Sequence, residues 1–587
     1  MSHNHKHRLS RRDFLKLGAA ALGGATLAAC GRRSKVVELT AVPSPTVVPV
    51  PTLAAGQVAD IVLVNGNIVT IDAKRTVAQA LAIKGGLILS VGDDQAVRSL
   101  SGDSTKVIDL GGRTVTPGLI DAHCHLSACG LLGTAYVDIN WPAVLTIADM
   151  QARLAAKIAV TPPGEWVIGA GWVSYDGRYP NKHDLDPISP NHPVFIVNQG
   201  GHMAAVNSLA LEMAGVNAST PDPANGRFMR EAGNEPNGAI MNHPAMDYFR
   251  RLWPRDLLNA EVMEVSVLNP QAKFASFGVT SFQDLYARDM ERMQAYFNIA
   301  RRGEMSIRGQ VMTVLEYIQE LDGRIDAVEA MRYEDDYMHF GGAKFQVDGA
   351  LEVSYTHEPH NGVAWNVPIW KPKDLNEAVR AFHDAGYQVA LHTSGDAAVD
   401  MALDAIENAM NANPRPNPRH RIEHSVLNTD RALQRTKDLG VVISTQPTAI
   451  RAFADGLAKT WGEERMQRMM PTRTWLDMGV PLCLSSDAPS LPWWDPQSTL
   501  FASIVRASFS KKPVSPEQAL TIEEAIYAHT MAGAYADFCE NKKGSLEPGK
   551  FADLVVWHDN PYTIATEDIL KLTADLTMVG GKVVHQV

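Results

Sequence analysis

The sequence predicts an α/β protein in which parallel strands are joined by crossover helices, carrying a smaller β domain assembled from both chain ends. Three observations predict it. Near the start of the body, the Val- and Ile-rich runs IVLVNGNIVTID and ALAIKGGLILSVG are broken by Asn-Gly and Gly-Gly turn signals and read as antiparallel hairpins. The same pattern returns in FADLVVWHD and LTMVGGKVVHQV at the far end, so the two ends belong to one domain. Between them, the strand-like runs GVTSFQDL, IRGQVMTV, HFGGAKFQV, YQVALH, HRIEH, GVVISTQ and VPLCLSSD alternate with amphipathic stretches, which is the pattern of parallel strands and crossover helices.

Composition narrows the function classes. The chain has 587 residues, 45% hydrophobic and 20% charged, enough to build more than one core. A net charge of −11 without long Lys/Arg runs excludes the electrostatic footprint of a nucleic-acid binder. Five cysteines do not make a disulfide scaffold; Cys124, Cys129, Cys483 and Cys539 read as buried thiols.

The first 29 residues read as an address label. Arg11-Arg12-Asp13-Phe14-Leu15-Lys16 resembles the twin-arginine export consensus, and Leu27-Ala28-Ala29-Cys30 resembles the lipobox at which a lipoprotein is cleaved and acylated on Cys30. The apolar stretch between them is too short to span a membrane as a mature helix. Residues 30–57, with AVPSPTVVPVPTL, read as a Pro-rich tether. Removing the net +4 of residues 1–29 leaves −15 on a body expected outside the cytoplasm, anchored to a membrane through Cys30 after passage through the twin-arginine machinery.

The chemistry concentrates at the ends of the strand-like runs. In PGLIDAHCHL, His123 and His125 stand two apart, so an extended strand presents both imidazoles on one face, the geometry of a ligand pair. The run VAL ends at His392, HRIE ends at His424 and PLCLSS ends at Asp487, each where a parallel strand leaves the sheet and where barrel enzymes carry catalytic groups. Four imidazoles and a carboxylate converging there make a divalent-metal site, Zn²⁺ before Fe²⁺ or Mn²⁺. The segment of about 127–270 interrupts the rhythm with clustered prolines, Trp166, Trp172 and Trp253, and reads as an insertion after the first strand that shapes a substrate pocket.

These residues, with NGNIVTID, GAKFQVDGAL, VALHTSGDAAVD, RIEHS, LSSDAP and GSLEPGKFADLVV, resemble the metal-dependent amidohydrolase superfamily, specifically the branch called amidohydrolase family 3, over residues 58–587. The resemblance implies a (β/α)8 TIM-like barrel over 116–540 and a composite β-sandwich from 58–115 with 541–587, with one or two metal ions. It implies His123 and His125 as first-strand ligands, Lys344 as the fourth-strand lysine, His392 and His424 as fifth- and sixth-strand ligands and Asp487 as the last-strand aspartate. A protonated Lys344 beside divalent cations is repelled, so it belongs there as a neutral amine or an N-carboxylated carbamate; the alternative is a lysine that positions the Asp348-Gly349 turn. His202, in GGHMAAVNS, matches a family histidine that stabilises an oxyanion or binds a substrate carbonyl, its alternative being a structural role in a Gly-rich turn. Related sequences often carry Asp and Trp where this chain has Gly200 and Ala205, which leaves the substrate contacts of that loop open.

The function expected is hydrolysis of a carbon–nitrogen bond other than a peptide bond, in a small amide, N-formyl or cyclic amide, by a metal-activated hydroxide, with Asp487 taking the proton and passing it to the leaving amine. Hydrolysis of an ester or lactone at the same site, or a non-catalytic metabolite-binding lipoprotein, are the alternatives. Glu423 is expected to orient His424 or to pair with Arg421, and Trp493 and Trp494 to wall an apolar pocket or pack as ordinary aromatics. A small molecule is the expected partner; the oligomeric state is open, a homodimer being one option.

Overall fold

The structure is a computed structural model that describes residues 57–173, 178–254, 257–359 and 366–587; the expected signal segment 1–29, Cys30 and the expected tether to residue 56 lie outside them. Eight strands form one parallel sheet in chain order: Leu119–Cys124, Val279–Ala287, Arg308–Leu315, Met338–Gln346, Gln388–Thr393, Arg421–His424, Val442–Thr445 and Leu482–Leu484. Each is followed by helical segments, as the alternating pattern requires, and the sheet curls into a TIM-like barrel. The seam between the last and first strands is stitched rather than laddered. Asp487 N–H donates to the His123 carbonyl at 2.8 Å and His125 N–H donates to the Ala488 carbonyl at 2.7 Å. The buried carboxylate of Asp121 fastens the same seam from the side, accepting from Ser486 Oγ at 2.5 Å and Ser486 N–H at 3.0 Å.

The two chain ends interleave in a sandwich. One sheet has the order Leu87–Gly92, Ala80–Lys84, Ile61–Val64 and Lys106–Asp109. The other pairs Thr114–Pro117 from the N-terminal half antiparallel to Leu554–Trp557 from the C-terminal half, with Ala574–Val579 and Lys582–Gln586 beyond. Leu63, Ile83, Val115, Leu554, Val556 and Met578 fill the space between the sheets. Arg308, at the start of the third barrel strand, reaches into this domain: Nε donates to Asp553 at 2.7 Å and Nη2 at 3.0 Å, with both side chains buried.

The insertion is a folded unit with its own sheet. Six strands, in the order Arg227–Arg230, Pro236–Met241, Met203–Val206, Val194–Asn198, Val167–Trp172 and Val137–Asp138, have a core on each face. The period of two sorts the residues: Val194 and Ile196 join Met203 and Trp172 on one face, while Phe195 joins Ile168, Ala204 and Phe249 on the other. The insertion ends earlier than the sequence suggests. The helix Ala260–Ser276 packs Met263, Val267 and Phe274 into the barrel core, so the extra sheet lies within 127–259 and not 127–270.

Among the described residues no helix is long and apolar enough to cross a membrane. The Arg308–Asp553 pair carries a prediction. Asp553→Ala strands a buried guanidinium and is expected to lower stability by about 3 kcal/mol, measured by chemical denaturation, whereas replacing the exposed ion-pair residue Lys571 by Ala should leave it essentially unchanged.

Candidate metal centre

The first strand places His123 within the barrel mouth, and His125 follows as the residue that opens the helix Leu126–Leu131. Asp487 faces them from beyond the eighth strand, with Oδ1 2.9 Å from His125 Nε2 and 3.5 Å from His123 Nε2. A possible ligand atom from each of these three residues lies within 4.8 Å of the others. On the other side, the rings of His392 and His424 stand 4.4 Å apart, and His424 lies 4.8 Å from His123. Lys344, buried on the fourth strand, lines the same cavity. The six residues that the sequence singles out as ligands therefore converge at the C-terminal ends of the strands.

His123, His392 and His424 each have one ring nitrogen in a hydrogen bond, while the Nδ1 of His125 is buried without a partner. His123 Nδ1 donates to Glu423 Oε2 at 2.6 Å, and its Nε2 is buried without a hydrogen-bond partner. His424 Nδ1 donates to Gln446 Oε1 at 2.7 Å, and His392 Nε2 donates to the Gly349 carbonyl at 3.2 Å. Burial, reinforced by neighbouring rings and Lys344, holds His123, His392 and His424 well below the ordinary imidazole range, so their lone pairs are available. Neutral imidazoles with buried unpartnered atoms, among them Asp487 Oδ1, are a donor set that fits a divalent cation of the zinc type. Burial also pulls the Lys344 amine down to about 8, within reach of the neutral form.

Backbone strain helps to aim the ring. Arg421 and Glu423 alternate into the barrel, so His424 follows at the opposite parity and turns into the site through a left-handed backbone, φ 66°. Asp487 is likewise left-handed, φ 55°. Non-glycine residues in this region are rare and persist where the surroundings fix them.

Glu423 pairs with Arg421, the second of its two expected roles, and its carboxylate orients His123 rather than His424. It is held in turn by Arg421, whose Nε donates to Glu423 Oε1 at 2.8 Å. Arg421 is fully buried and also bonds Gln283 Oε1 and, at 2.7 Å, the Ala122 carbonyl. Trp493 and Trp494 do not line the cavity. Trp493 packs on Trp141 and under the Arg451 guanidinium, and Trp494 lies 3.9 Å from the Lys273 ammonium. Cys124, Cys129 and Cys483 are buried and Cys539 is partly exposed, all four with thiols raised mainly by burial.

Above the ring lies a cavity of about 380 Å³. His202 lines it from the insertion, its ring 5.2 Å from that of His392 and held below the usual imidazole range by burial first. Leu131, Leu132, Tyr136, Ile168, Phe195 and Trp253 give it an apolar wall. Four lining or supporting residues escaped the sequence reading. Tyr286 and Arg288 end the second-strand run and Glu316 ends the third, the same strand-end signal that finds His392. His243 lies in the insertion, with no such signal.

The amidohydrolase family profile matches residues 106–585. The chain is 29% identical over 554 residues to an N-substituted formamide deformylase of Arthrobacter pascens, covering 89% of this chain and 98% of that protein. It is 30% identical over 560 residues to the protein LONG AFTER FAR-RED 3 of Arabidopsis thaliana, covering 90% and 92%. Among solved structures it is similar to an uncharacterized metal-dependent hydrolase from Pyrococcus furiosus, with a TM-score of 0.66, 25% identity, and coverage of 86% of this chain and 100% of that one.

The Glu423 contact is testable. Glu423→Gln is expected to weaken metal retention by about 10–100-fold, read by chelator competition at fixed pH, while Glu407→Gln on the outer surface leaves it unchanged.

Proposed function

The chain belongs to the amidohydrolase family and is a hydrolase of carbon–nitrogen bonds other than peptide bonds; on that premise we propose that it cleaves a small N-substituted amide, an N-formyl amine foremost, at the ring of His123, His125, His392, His424 and Asp487. The observation that carries this reading is the convergence of His123, His392 and His424, held as neutral imidazoles, with His125 and the Asp487 carboxylate at the floor of one cavity. The similarity to a formamide deformylase along 89% of the chain supports the formyl group as the acyl part, and the apolar wall suits an apolar substituent on nitrogen.

His123, His125, His392, His424 and Asp487 would hold zinc, two ions per chain, with Lys344 joining them as a carbamate. Bound there, the cations supply Lewis acidity and lower the pKa of water. Asp487 accepts the proton of the attacking water and hands it to the departing amine, which then leaves as a neutral molecule. His202 donates a hydrogen bond to the substrate oxygen as negative charge grows on it.

The same reading extends to the cell. The twin-arginine motif and Cys30 make the protein an extracytoplasmic lipoprotein held to a membrane by its acyl chains. Cys30→Ser is expected to move the protein from the membrane pellet to the soluble fraction; an unmodified Cys30 in the membrane fraction contradicts the anchor.

Turnover is tested with 4-nitroformanilide, whose hydrolysis frees 4-nitroaniline. Asp487→Asn should lower kcat about 10³-fold with the fold intact. Unchanged turnover removes Asp487 as the proton carrier, and a kcat/KM at least tenfold higher for 4-nitrophenyl acetate moves the assignment to esters.

A further inference from the structure

We infer that His243, paired with Glu316, is the positioning residue that fixes His202 over the metal centre by clamping the Gly201 carbonyl; the consequence for turnover rests on the role of His202 proposed above. His202 follows a Gly-Gly turn, with Gly201 left-handed at φ 79°, and precedes the strand Met203–Val206. Its own Nδ1 is buried and has no hydrogen-bond partner, so the ring is not tethered through that atom. What holds it is the neighbouring dipeptide. Asn242 N–H donates to the His202 carbonyl at 2.8 Å, and His243 Nε2 donates to the Gly201 carbonyl at 3.0 Å. Two consecutive residues thus grip two consecutive carbonyls, and the His243 ring stacks on that of His202 at 5.4 Å with 28° between the planes.

The clamp is anchored in the barrel. His243 Nδ1 donates to Glu316 Oε1, the residue immediately after the third barrel strand. Glu316 is buried and ionised: burial would raise its carboxyl, but the Arg288 guanidinium at 2.9 Å, then His243, outweigh that and hold it well below the carboxylate range. Arg288 continues to Asp247 at 3.0 and 3.1 Å, and Asp247 also accepts from Tyr317 Oη at 3.0 Å. Asp247 lies one turn beyond His243 on the helix His243–Arg250, where Arg250 stands 3.4 Å from it. Residues of the second and third barrel strands therefore grip that helix at two points and set the register of the insertion against the ring.

Both nitrogens of His243 face oxygens that only accept, the Glu316 carboxylate and a backbone carbonyl. A residue merely filling space would not need two acceptors aimed at its two nitrogens. An asparagine side chain cannot span Glu316 and Gly201 together, so His243→Asn releases one end of the clamp, and Glu316→Gln removes the charge while keeping the shape.

The test has two readouts. Hydrogen exchange followed by mass spectrometry is expected to show amides of Met203 and Asn242 exchanging at least tenfold faster in His243→Asn than in the parent chain, with barrel-strand amides unchanged. Should His243→Asn fail to fold, Glu316→Gln carries the same expectation. Unchanged exchange in the turn overturns the clamp. With 4-nitroformanilide, His243→Asn should lower kcat about 10²-fold with KM within twofold, and should cost less than a further twofold in a His202→Asn background. A full, additive loss in that background overturns the claim that His243 acts through His202. If His202→Asn alone leaves kcat unchanged, the proposed role of His202 fails while the exchange result still decides the clamp.

Discussion

The charged column Arg421–Glu423–His123 underlies the site. A guanidinium and a carboxylate are both fully buried in the barrel, a costly arrangement unless each hydrogen bond is met. Here Arg421 is shared among Glu423, Gln283 and the Ala122 carbonyl, and Glu423 passes the constraint on to His123 Nδ1. The column links the first, second and sixth strands and fixes which nitrogen of His123 faces the cavity. From that fixed imidazole the rest of the ring follows: Asp487 is fastened to the His123 carbonyl, and His125 to the Ala488 carbonyl across the seam. The stitch that closes the barrel therefore also places the proposed proton carrier beside the proposed ligands.

The insertion completes the cavity and brings His202 to it. Its sheet has a core on each face, so it can hold a precise shape independently of the loops that join it to the barrel. Precision toward the barrel comes from ion pairs: Glu316, Arg288 and Asp247 link the third strand, the second strand and the insertion helix. Buried pairs of this kind serve orientation more than stability, because desolvation offsets much of their attraction. Apolar residues at the wall and a polar ring at the floor divide binding from chemistry.

Much of this was legible in the sequence because barrel strands advertise themselves. An apolar run that ends in His, Glu or Asp marks both the strand and its functional end, and His123, His392, His424 and Asp487 all carry that mark. Glu316 carries it too, and Tyr286 and Arg288 stand as polar endings of the second-strand run that could have been read in a similar way. What escaped reading depends on tertiary contact. Glu423 sits next to His424 in sequence, yet strand alternation turns it toward His123, while His424 reaches the site through a left-handed backbone. Trp493 and Trp494 follow Asp487 closely but pack outside the cavity, under Arg451 and Lys273. His243 owes its place to a pairing across 73 positions of chain, which no local pattern encodes.

The central claim is that the buried ring holds divalent metal with Lys344 neutralised among the ligands. Elemental analysis of the full chain, purified without chelator from medium supplemented with zinc and bicarbonate, tests it most directly. The account predicts a ratio near two zinc ions per chain, falling when Lys344 is replaced by Met. A ratio near one would return Lys344 to a structural role beside the Asp348-Gly349 turn, and a chain that retains no divalent metal would contradict the account.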